Sequence, residues 1–194
     1  MLRWAGGLIL IGVLSLPASR RILEAQMATH MLIQIPLLAL SGVLFASAIG
    51  ARTQSTLARY NELGLPGMLA VSFASTYWML PRALDAALDN PAMEAVKFLS
   101  LPLLVGLPLA LSWARLGTVG RGFVLANALS MIAVAGWLYR ESPARLCNYY
   151  LIDQQILLGD YLLAVALLMG LVCTARAFVG SHPLVAPGSR RAPG

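Results

Sequence analysis

Six long apolar runs, broken by charge, proline or glycine, set the rhythm of the chain: residues 2–17, 27–50, 66–81, 92–113, 123–139 and 156–178. A helix needs roughly 20 mostly apolar residues to cross a hydrocarbon core of about 30 Å. The pattern therefore predicts an all-α fold, an integral membrane bundle of about six transmembrane helices. The first and third runs are short. The first, with Arg3 ahead of its apolar stretch and Pro17 and Ala18 behind it, also fits a cleaved signal. Leu16 stands where a cleavage site wants a small residue, which favours a retained first helix. Residues 1–180 form one multi-pass transmembrane helical domain on this reading. The last fourteen, SHPLVAPGSRRAPG at 181–194, lack an apolar period and predict a disordered tail.

Composition agrees: 59% of residues are hydrophobic and 11% charged, against about 25% charged in soluble domains. A net charge of +6 brings nucleic acid to mind. The arginines, however, stand singly between apolar runs, with no basic patch and no interleaved aromatics, so no nucleic-acid partner is expected. They act as topology signals. If both termini share a side with the loops at 51–66 and 114–122, that side holds Arg3, Arg52, Arg59, Arg115, Arg121, Arg176, Arg190 and Arg191. The other holds Arg20, Arg21, Arg82, Lys97, Arg140 and Arg145. Eight bases against six place both termini in the cytoplasm. Trp78, Trp137, Tyr139, Tyr149 and Tyr150 belong to the outer aromatic belt, and Tyr60 and Trp113 to the inner one.

That topology gathers polar and sulfur chemistry at the outer face. Gln26, His30 and Gln34 recur every four residues and share one helical stripe, with Met27 and Met31 beside it. Trp78 and Met79 end the third run, Met93 and Glu94 begin the fourth, and Asp153, Gln154 and Gln155 begin the sixth. Between them, PRALDAALDNP spaces Leu84, Ala87 and Leu88 against Asp85 and Asp89, as in an amphipathic helix lying on the outer surface. Thioethers and imidazole suit Cu(I), which makes Met27, His30, Met31, Met79 and Met93 candidate metal ligands and copper the candidate cofactor. A structural reading stands beside it: methionine fills apolar gaps, and Gln26, Gln34, Trp78, Asp153 and Gln154 tie helices together by hydrogen bonds. Asp160 reads as structural or as reaching to the interface; Asn127 and Ser130 read as helix-to-helix contacts. Pro36, Pro102 and Pro108 should kink their helices. Cys147 and Cys173 lack the spacing of a zinc or redox motif. The glycines of GTVGRG at 117–122 follow no strand and support no phosphate loop. No nucleophile and base, carboxylate pair or bis-histidine pattern emerges, so the chain is expected not to be an enzyme.

The ordered set HMLIQIPLLALSG (30–42), YWMLPRALDAALDNPAMEAVKFLS (77–100) and LIDQQILLG (151–159) resembles the three signature regions of the CtaG family. These are multi-pass bacterial membrane proteins of cytochrome c oxidase assembly, implicated in copper delivery. The resemblance spans about residues 24–178. It implies a bacterial inner-membrane location, membrane lipid and respiratory oxidase subunits as partners, and an outer-face copper site that would add Glu94 to the ligand candidates. This sequence departs from the family's histidines at Gln26, Met79, Glu94 and Phe98 and keeps His30. Two functions follow: an assembly factor with a rebuilt copper site, or a structural accessory subunit that binds no metal. A transporter is less supported, since the chain shows neither an internal repeat nor paired broken helices.

Overall fold

The computed structural model describes residues 2–179, which are mostly helical with no strand among them. Nine helices are present among the described residues: α1 Leu2–Ser15, α2 Pro17–Leu23, α3 Met27–Ala46, α4 Ala51–Tyr60, α5 Leu65–Met79, α6 Pro81–Asp89, α7 Pro91–Trp113, α8 Thr118–Glu141 and α9 Ile152–Val179. The tail expected to be disordered lies outside the described residues. Each of the six apolar runs falls on one of α1, α3, α5, α7, α8 and α9, and the surface helix expected over PRALDAALDNP is α6. The short helices α2 and α4 were not anticipated.

Four helices, α3, α7, α8 and α9, are long and apolar enough to span a membrane; the bent pair α1 and α2 brings the number to five. The expected count of six is therefore met only in part. The shortfall is α5, whose 15 residues reach about 22 Å at 1.5 Å per residue, short of a core of about 30 Å.

Proline sets the corners. The residue before a proline is pushed out of the helical region, and Leu16, Leu80 and Asn90 are all extended ahead of Pro17, Pro81 and Pro91. The first break turns the chain by 73° between α1 and α2. At the third, the Asn90 side chain accepts from the Ala92 backbone N–H at 2.8 Å and caps α7. Pro36 and Pro102 sit beside or within widened π-helical turns, His30–Gln34 and Leu101–Gly106, where the hydrogen-bond ladder absorbs the missing N–H.

The helices close into a ring: α3 meets α7, α7 meets α5, α5 meets α8, α8 meets α9, and α9 returns to α3, with α1 outside against α3. Two crossings are tight. A Cβ on Gly106 would fall onto the Ala39 carbonyl oxygen, and one on Gly42 onto that of Pro102, so α3 and α7 touch backbone to backbone. Likewise a Cβ on Gly159 would lie 2.8 Å from the Gly136 carbonyl oxygen, which brings α8 against α9. This corrects the expectation for Asn127 and Ser130. Both are exposed on the outside of α8, and glycines bring that helix to its partner instead.

Candidate functional site

The N-terminal end of α3 begins where Thr29 folds the chain back on itself, its hydroxyl donating to the carbonyls of Leu23 at 2.7 Å and Gln26 at 2.9 Å. The widened turn then carries His30 and Gln34, both fully buried, toward the first turns of α7. There they meet Lys97, whose side chain is also fully buried.

Hydrogen-bonding capacity decides the protonation pattern. The Tyr150 hydroxyl donates its one proton to the Glu24 carbonyl oxygen at 3.0 Å, so it accepts from His30 Nδ1–H at 2.9 Å. His30 is thereby the neutral Nδ1–H tautomer, and its Nε2 is an acceptor. The Lys97 ammonium points at that nitrogen from 3.1 Å. The same ammonium donates to Glu24 Oε1 at 2.9 Å and to Gln34 Oε1 at 3.4 Å, while Gln34 Nε2 donates to Glu24 Oε1 at 2.9 Å. Three protons meet three acceptors, and the buried charge is paired and hydrogen-bonded as burial demands.

The electrostatics follow from that cage. Burial works against the Glu24 charge, but the Lys97 ammonium beside it, with hydrogen bonds from Lys97 and Gln34, holds the carboxyl below its ordinary value of 4.5. Burial pushes the Tyr150 hydroxyl up, and the neighbouring Glu24 carboxylate adds to this, so the phenol keeps its proton. Beside the cluster, Arg20 of α2 pairs with Glu94 of α7.

The expected site residues are divided by this arrangement. His30 and Gln34 share the cluster; Gln26, the third member of their stripe, is exposed. Met27 and Met31 are buried in an apolar core with Leu84, Tyr139, Cys147, Tyr150, Leu158 and Leu162. Met93 packs instead against a second core that includes Leu14, Leu38, Trp78 and Leu101. Met79 gives its carbonyl to the Tyr139 hydroxyl at 3.1 Å, and the residue borders a cavity between the helices. Glu94 is held by Arg20. The six candidate ligands thus face different surroundings, and among the described residues no group of three or more His, Cys, Asp or Glu is arranged to hold a metal ion.

Trp78 is buried and donates from Nε1 to Ser100 Oγ at 2.9 Å, a tie between α5 and α7. At the start of α9, Asp153 is exposed and the Gln154 side-chain oxygen has no protein partner. The binding there is done by Gln155, which accepts from Leu146 N–H at 2.8 Å and donates to the Tyr139 carbonyl at 3.0 Å. Asp160 pairs with Arg140 at 2.6 Å. Asp85, expected on the wet face of α6, is turned inward and accepts from Asn148 N–H at 2.8 Å.

No family model, curated protein or solved structure matches the chain. Its chemistry is therefore read from the cluster itself. A neutral imidazole nitrogen, a carboxylate and an amide oxygen converge on one cation, and that cation is the chain's own lysine. Sequence reasoning assigned Lys97 to the topological charge count and Tyr150 to the aromatic belt. The available signal was Lys97 itself, the one lysine among fourteen basic residues, placed on an apolar run.

Proposed function

We propose that this chain is a CtaG-like, non-catalytic protein of the bacterial inner membrane, a structural accessory subunit beside a respiratory oxidase or related copper-containing complex. It crosses six times with both termini in the cytoplasm, α5 crossing where the bilayer thins locally to meet its length. The observation that carries the metal-free part is the position of Lys97 Nζ, 3.1 Å from His30 Nε2. A soft metal using that nitrogen would have to displace an ammonium and leave it buried beside a second cation. The departures at Gln26, Met79, Glu94 and Phe98 point the same way. A copper-handling assembly factor is the second reading, favoured by Met31, Met79 and Met131, which border one cavity.

Purification from native membranes in mild detergent, with copper quantified per chain and co-purifying subunits identified, separates the two. The accessory-subunit reading expects respiratory subunits to co-purify and no stoichiometric copper on the chain. His30→Gln retains hydrogen bonding and should leave assembly largely intact, while His30→Leu strands buried partners at about 1–3 kcal/mol. Tight Cu(I) binding lost equally in both variants, with the protein still folded, would install the copper-handling reading.

A further inference from the structure

The helical ring borders a partly open cavity of about 420 Å³, within the range of roughly 300–1,000 Å³ that small-molecule sites occupy. All five ring helices contribute to its wall: Met31 from α3, Met79 from α5, Leu101 from α7, Met131 and Ile132 from α8, and Leu162 from α9. No charged residue borders it. Ser75 brings a hydroxyl, while the Trp78 N–H is directed at Ser100. A polar head group placed here would lose its solvation with almost nothing to replace it. An empty void of this size would forfeit the dispersion contacts that close packing supplies. A hydrocarbon chain satisfies both constraints.

A path for it lies between α5 and α8. A smaller cavity of about 190 Å³ occupies that seam, walled on the outside by Leu80, Val134 and Leu138, which are exposed. Met79 and Met131 border both spaces. Two unbranched, flexible side chains thus stand between a seam open to lipid and the central cavity. The Thr76 hydroxyl, on the seam side, donates to Met131 Sδ at 3.3 Å.

We infer that the central cavity binds one acyl chain of a membrane phospholipid, which enters sideways through the α5–α8 seam past Met79 and Met131. The head group stays at the interface. An isoprenoid quinone fits less well, because its ring carbonyls would call for donors that the wall does not offer.

The test uses the full-length protein in phosphatidylcholine vesicles that carry a trace of phosphatidylcholine with a diazirine at the end of one acyl chain. After irradiation, adducts are mapped on peptides. The expected result is labelling of Leu101 and Leu162, which are 1% and 2% exposed and out of reach from outside. Ile132→Phe, which fills the cavity, should reduce those adducts several-fold while labelling at lipid-facing Phe73 is unchanged. Ala39→Leu serves the same purpose should Ile132→Phe fail to fold. Labelling confined to outward residues, or labelling of Leu101 and Leu162 that persists in the filled variant, would overturn the site. Efficient displacement of the label by unlabelled isoprenoid quinone would overturn the acyl-chain assignment.

Discussion

Along α3, one residue separates two kinds of environment. His30 lies in a closed set of hydrogen bonds with Tyr150 and Lys97, whose ammonium also holds Glu24 and Gln34. Met31 borders a cavity of about 420 Å³ with almost no polar lining. The polar cluster is rich in chemistry and has each central valence engaged; the middle of the bundle is poor in chemistry and has room. Reactive side-chain types, taken alone, draw attention to the first region. Bond saturation assigns that region to holding the helices together, and space assigns ligand binding to the second.

The contrast breaks most readily at Lys97. Lys97→Met removes a buried cation from Glu24, His30 and Gln34 at once, and stranding one member of a buried ion pair costs about 3–5 kcal/mol. The midpoint of thermal or denaturant unfolding in detergent should fall accordingly. A midpoint close to that of the unaltered chain would show the cluster to be dispensable and erase the distinction.

Acid offers a gentler probe of the same cluster. The Glu24 carboxyl titrates below 4.5 in the folded chain, so its contribution to stability is fully present above the unfolded value and is lost as pH falls through the folded one. Unfolding followed from about pH 6 to about pH 3 should show stability declining below the unfolded carboxyl value, and Lys97→Met should flatten that decline. An identical acid profile in both proteins would detach Glu24 from Lys97.

The smallest effect belongs to the cavity. Met131→Leu conserves volume and apolar character and should cost less than about 1.5 kcal/mol, read from the same unfolding midpoint. A loss as large as that of Lys97→Met would mean that Met131 is rigidly packed and the contrast in room is false.

The long ring helices α3, α7, α8 and α9 were legible because an apolar run of membrane length has few alternatives, and the bounds of α3, α7 and α9 fall within a few residues of the runs that predict them. Helix α2 was not legible: seven residues with two arginines read as loop until the Pro17 corner lays them across the bundle end. The His30 and Gln34 pairing followed from helical spacing, while Gln26 fell away because it precedes the first turn and its chain there is extended. Lys97 and Tyr150 were missed for a common reason. Their roles depend on which helix ends meet, 67 and 120 residues from His30 along the chain, and periodicity carries no information at such separations. The cavity is equally invisible to pattern, since the leucines and methionines around it are the types found in any apolar helix.

The cluster also has an order in time. Its members leave the ribosome in the sequence Glu24, His30, Gln34, Lys97, Tyr150. Lys97 lies near the start of α7, and the carboxylate and imidazole that receive its ammonium both precede it in the chain. Tyr150 arrives later, just ahead of α9, and fixes the imidazole by accepting from Nδ1 while bonding the Glu24 carbonyl. Lys97 thus ties α7 to segments made before it, and Tyr150 closes the cage from a segment made after it.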